Sequence, residues 1–137
     1  MKKKHLSRRI VLSALVAQEL GGDKFLDPDG MEEISEELIL PAREMLDGIK
    51  KEKTDIDNII SSCLHTRKIL ELGSVEKSVL RLATYELFFQ QDSPPKVILS
   101  ESVVLTKKFA GEKAAKFVNG VLRGLYDASK AVDKDLD

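Results

Sequence analysis

The stretch VEKSVLRLATYELFF, residues 75–89, constrains the fold more than any other part of the chain. Val75, Val79, Leu82 and Ala83 recur at the spacing of one helical face, and Leu80, Leu87 and Phe88 widen that face well beyond a single stripe. Gly73 and Ser74 precede it. Serine suits the N-cap, and Glu76 falls in the first turn, where a carboxylate meets the positive end of the helix dipole. A helix this apolar needs cover on several sides, so it is expected at the centre of the domain. Nowhere do Val, Ile and Thr alternate with polar residues over a strand's length, so its neighbours are helices too and the class is all-α.

Glycine, proline and capping residues delimit the other helices. A first helix is expected from about Leu6 to Leu20, with Leu6, Ile10, Ala14 and Ala17 along one side. Gly21 and Gly22 end it, since glycine tolerates the left-handed conformation. FLDPDG, residues 25–30, reads as a turn, and helical character resumes at Met31. Pro41 lacks an amide hydrogen and crowds the preceding turn, so a break or kink is expected there, followed by a helix from about Pro41 to Lys51. Thr54 is the expected cap of the next helix, with Asp57 three residues on as in a capping box, ahead of a buried face of Ile56, Ile59, Ile60, Cys63 and Leu64. Ser93, Pro94 and Pro95 open a further helix that runs through Val97, Ile98, Val104, Leu105 and Phe109 to Gly111. The last begins at about Lys113, with Ala114, Val118, Val121, Leu122 and Leu125 on one side and Lys116, Asn119 and Arg123 on the other. After about Ser129 the polar tail is expected to fray. Six to seven helices thus make one domain over residues 1–137, without repeats or a low-complexity linker.

A chain of 137 residues can bury a core without staples. It has to, because the single cysteine, Cys63, excludes an internal disulfide. Cys63, His5 and His65 together cannot assemble a structural zinc site. No apolar run approaches the roughly 20 residues that cross a bilayer, and residues 10–17, broken by Ser13, make a poor signal peptide. A cytoplasmic protein with no membrane association is expected. There is no Gly-rich phosphate loop, GxSxG or HExxH, so neither an enzyme nor a cofactor is expected. The pairs Glu32 with Glu33 and Glu36 with Glu37 read as solvated faces.

The net charge of −1 conceals a strong polarity. Lys2, Lys3, Lys4, Arg8 and Arg9 precede the first acid, Glu19, so residues 1–18 carry +5 and the remainder −6. Such a run can neutralise several phosphates and release their condensed counterions. Arg8 and Arg9 are expected on an exposed helix face, where guanidinium forks can be aimed, and Lys2 to Lys4 on a mobile arm. The plain alternative is a solvated basic tail. Phe117, in KFVNGVL beside Lys116 and Asn119, can stack on an unpaired base, although periodicity alone places it in the core. Glu101 shares a stripe with Val97, Val104 and Leu105, and is expected at an edge or paired with a base. His65 reads as a helix-face histidine and Cys63 as a small core residue.

The stretches LELGSVEKSVLRLATYELFF (70–89) and PPKVILSESVVLTKKFAGEKAAKFVNGVLRGL (94–125) resemble the NusB family of bacterial transcription antitermination factors. VEKSVLRLATYEL followed at the family's interval by KFVNGVL is the specific part. AREMLDGI (42–49) resembles the family's third-helix region and RRIVLSAL (8–15) its first helix. The resemblance implies an all-helical fold of two small helical subdomains, here residues 1–70 and 71–137, and no catalysis. It implies binding of the single-stranded boxA element of ribosomal RNA leaders together with the ribosomal protein NusE, in a complex that helps RNA polymerase pass terminators; it also admits a homodimer. Lys2, Lys3, Lys4, Arg8 and Arg9 then contact RNA, as do Lys116, Phe117 and Asn119 of the KFVNG segment, and Glu76 contacts NusE. Val16 stands at a partner-contact position where the family usually has an aromatic residue, and Pro95 where it usually has tyrosine. The other readings are a free-standing relative of the NusB-like domain that serves ribosomal RNA cytosine methyltransferases, a helical protein-interaction module, and a helix-turn-helix DNA binder.

Overall fold

The computed structural model describes residues 2–21 and 36–136. Six α-helices and one 3₁₀ turn carry these residues, with no strand among them: α1 (Lys2–Glu19), α2 (Glu36–Lys51), α3 (Lys53–Ser62), the 3₁₀ turn Ile69–Glu71, α4 (Ser74–Phe88), α5 (Pro95–Ala110) and α6 (Glu112–Leu136). The expected turn at residues 25–30, the helical restart at Met31 and the pair Glu32 and Glu33 lie outside the described residues.

α4 is the central element, and it packs against each of the other five helices. Its apolar residues Val79, Leu80, Leu82, Ala83 and Leu87 are all buried, as are the polar residues Ser78, Arg81, Thr84 and Glu86 that share its circumference. Around it Met45, Ile49, Ile56, Ile60, Leu122 and Leu125 complete one continuous core. Each such side chain contributes roughly 1.5–3 kcal/mol through removal from water. α2 comes close to α4 because Gly48 leaves room for Tyr85: a Cβ on Gly48 would lie 2.2 Å from the Tyr85 hydroxyl.

The glycine and proline signals act as expected at three places. Gly21 and Gly111 both take φ of +91°, beyond the ends of α1 and α5, and Pro95 occupies the first helical position of α5. Elsewhere the packing overrides local preference. α2 runs unbroken through Pro41, whose ring is on the exposed side while Leu38, Ala42, Met45 and Ile49 form a buried stripe across it. The lost backbone hydrogen bond is outweighed by a stripe that only a continuous helix keeps in register. Thr54 lies inside α3 rather than at its cap, which is Glu52, because Asp57 is drawn to Arg81 instead of to the helix start. Gly73, not Ser74, caps α4; its N–H donates to Glu76 Oε1 at 2.8 Å, so the acid in the first turn reaches back to the cap. α6 continues past Ser129 to Leu136 rather than fraying there. No described helix is long and apolar enough to cross a membrane.

Candidate nucleic-acid interface

The expected arm is helix from Lys2 onward, so Lys2 to Lys4 extend α1 instead of forming a mobile lead-in. The side chains of Lys2 and Lys3 lie outside the described groups. Lys4 is half-buried; its ammonium donates to Gln90 Oε1 at 3.2 Å and stands 3.9 Å from Glu86 Oε1. His5 Nδ1 donates to Glu101 Oε2, so Glu101 is the carboxylate paired with a base that its stripe had suggested. Arg9 is half-buried.

Arg8 corrects the expectation of an exposed guanidinium. Its side chain is 3% exposed and that of its partner Glu86 2%. Arg8 Nε donates to Glu86 Oε2 at 2.8 Å, Nη2 to Glu86 Oε1 at 2.9 Å, and Nη2 also to Ser93 Oγ at 3.0 Å. The cause is its register: Arg8 leads the buried stripe Val11, Leu12 and Leu15, which presses it against α4. A charge so placed needs a partner, and this bidentate fork fixes α1 to α4 and to the α4–α5 connection.

The KFVNG residues are divided between two flanks of α6. Phe117 is half-buried against the core, and the Arg67 guanidinium carbon lies 4.5 Å from its ring centroid. Together they line a groove of about 240 Å³ with Cys63, Leu64, His65, Thr66, Gly120 and Val121. Core contact and an accessible ring edge thus coexist in one residue. His65 is in the loop after α3, not on a helix face, and is exposed. Lys116 and Asn119 line a separate groove of about 320 Å³ with Val103, Lys107, Glu112 and Ala115. Arg67 was not legible as part of this surface, because its aromatic partner stands fifty residues away in sequence.

Near the other end of α4, Glu76 is held by the Gly73 N–H and lies 3.7 Å from Arg67 Nη2. Val16 is half-buried and packs on the core. Glu19 Oε1 receives Lys77 Nζ at 2.9 Å and Arg81 Nη1 at 3.0 Å, while Arg81 also forms a fork with Asp57 at 2.9 and 3.0 Å. The hydrogen bond from Lys77 holds the Glu19 carboxyl below its ordinary range, against its partial burial and with the Arg81 charge assisting. Burial opposes the charge on Arg81, but Asp57 and Glu19 outweigh it and raise its pKa.

A family model described as the NusB family matches residues 5–127. The chain belongs to the NusB family. The transcription antitermination protein NusB of Shewanella pealeana is 34% identical over 128 residues, covering 90% of this chain and 94% of that protein. Among solved structures, T. maritima NusB superposes with a TM-score of 0.80 at 32% identity, covering 90% of both chains. A chain in a structure of the antitermination factors NusB and NusE in complex with dsRNA superposes with a TM-score of 0.81 at 31% identity, covering 93% of this chain and 98% of that one. NusB family proteins are non-enzymatic antitermination factors.

Proposed function

We propose that the chain is an RNA-binding antitermination factor of the cytoplasm. It holds the single-stranded boxA element of ribosomal RNA leaders together with NusE, and the assembly lets RNA polymerase read through terminators. The observation that carries this reading is the acid-free, cationic start of α1, held as ordered helix, on a chain whose relative is described in complex with NusE and dsRNA. Lys2, Lys3, Lys4 and Arg9 meet phosphates; Arg8 supports them from beneath through Glu86. Phe117, backed by Arg67, offers a ring to an unpaired base, and Lys116 and Asn119 extend the path along the neighbouring groove. Val16 and Glu76 face NusE, with valine giving a smaller contact than an aromatic residue. Residues 1–70 and 71–137 act as two subdomains that the Arg8–Glu86 and Arg81–Asp57 forks hold together.

An electrophoretic mobility shift tests the reading. BoxA RNA should shift at lower protein concentration than a scrambled strand or a duplex of the same length, and NusE should lower that concentration further. Equal shifts for boxA and scrambled RNA would contradict the boxA assignment.

A further inference from the structure

α1 is helical from Lys2 although its own sequence opposes this. Its first turn holds lysines and no acid, which sets positive side chains against the positive end of the helix dipole. The opposing support is tertiary. Lys4 reaches Gln90 and Glu86, and His5 donates to Glu101 in the middle of α5. α1 packs chiefly on α2 and α4, so the His5–Glu101 pair ties the cationic turn to α5, a helix outside its main packing partners. Glu101 is itself firmly based: its neighbours Ile98, Ser102 and Leu105 are buried, and its side chain is 23% exposed.

We propose that Glu101 is a positioning residue for RNA capture, acting through His5 to fix the first turn of α1 so that the lysine side chains start from an ordered backbone. The inference rests on the RNA-binding reading above. A turn ordered before binding spares the complex part of the ordering cost. The sign of the effect is unusual. A carboxylate beside a polyanion's landing site repels it, so charge alone makes removal of Glu101 favour RNA; the positioning role makes the same removal harmful.

The test measures boxA RNA affinity of the full chain by fluorescence anisotropy, with melting curves in parallel. Absence of binding by the unmodified protein would overturn the functional reading and this inference with it. Given binding, Glu101→Gln should weaken it by roughly three- to tenfold. Glu101→Asp, which keeps the carboxylate, should retain most of the affinity. His5→Gln combined with Glu101→Gln should bind no worse than the weaker single variant, because both break one link. The chain has only two histidines, so imidazole nitrogen NMR reads the link directly: Glu101→Gln should move the His5 resonances and leave those of His65 in place. Tighter or unchanged binding by Glu101→Gln, additive losses in the double variant, or an unmoved His5 signal would each overturn the proposal.

Discussion

Two arginines clamp α4 to its neighbours, and they do so in different surroundings. Arg8 and Glu86 meet as a nearly dry pair, 3% and 2% exposed, with Ser93 as a third, neutral partner. Arg81 meets two carboxylates, Glu19, which it shares with Lys77, and Asp57, and these are 26% and 24% exposed. In the first clamp water cannot replace a lost partner. In the second it can, and the remaining members can re-pair. The same residue types at similar distances should therefore differ greatly in what their loss costs.

The largest effect is expected at the dry clamp. Arg8→Ala leaves the buried Glu86 carboxylate without its bidentate partner and with only the Lys4 ammonium 3.9 Å away, and urea denaturation should show a loss of roughly 3–5 kcal/mol. Arg8→Met combined with Glu86→Leu should recover most of it, since no charge is then left behind. A loss below about 1 kcal/mol in the single variant would show that the two clamps are equivalent after all. It follows that Arg8→Glu is a poor probe of RNA binding, because it sets two carboxylates against each other in the core; Arg9→Glu is the better one. Next comes Arg81→Ala, with an expected loss of roughly 1–3 kcal/mol, limited because Lys77 still neutralises Glu19. Smaller again is a pH effect. A carboxyl whose pKa is lowered on folding contributes in full above its ordinary value, here 4.5, and the contribution fades as pH falls through the lowered folded value. Acidification below 4.5 should thus weaken the native protein, and Arg81→Ala, which removes part of the lowering, should make the slope shallower. The smallest effect is screening: added salt should narrow the stability difference between Arg81→Ala and the unmodified protein, and leave the Arg8→Ala difference nearly unchanged.

The fold was legible wherever a signal was local. The wide apolar face of 75–89 identified the central helix, and Gly21, Pro95 and Gly111 marked ends that the backbone confirms through two positive φ values and a first-turn proline. The local preferences of Pro41 and Thr54 were sound but overridden, at Pro41 by the burial of Met45 and Ile49 beside it and at Thr54 by the pairing of Asp57 with Arg81. The basic segment was legible as charge but not as geometry. Arg8 stands i, i+3, i+4 and i+7 with Val11, Leu12 and Leu15, and Glu86 stands on the apolar stripe of Val79, Leu82 and Ala83. Each alone resembles an edge residue. Only their meeting across 78 residues of sequence makes both buried, and no local pattern carries that information. Arg67 over Phe117 was hidden for the same reason.

The central claim is that the ordered lysine turn of α1 captures RNA through its phosphates. It is tested most directly by the salt dependence of boxA affinity, for the unmodified protein and for a variant with Lys2, Lys3 and Lys4 all changed to Gln. If about four phosphates are neutralised, the double-logarithmic slope should be roughly −3, and the triple variant should flatten it to about −1. A slope near zero, or one that the triple variant leaves unchanged, would contradict the account.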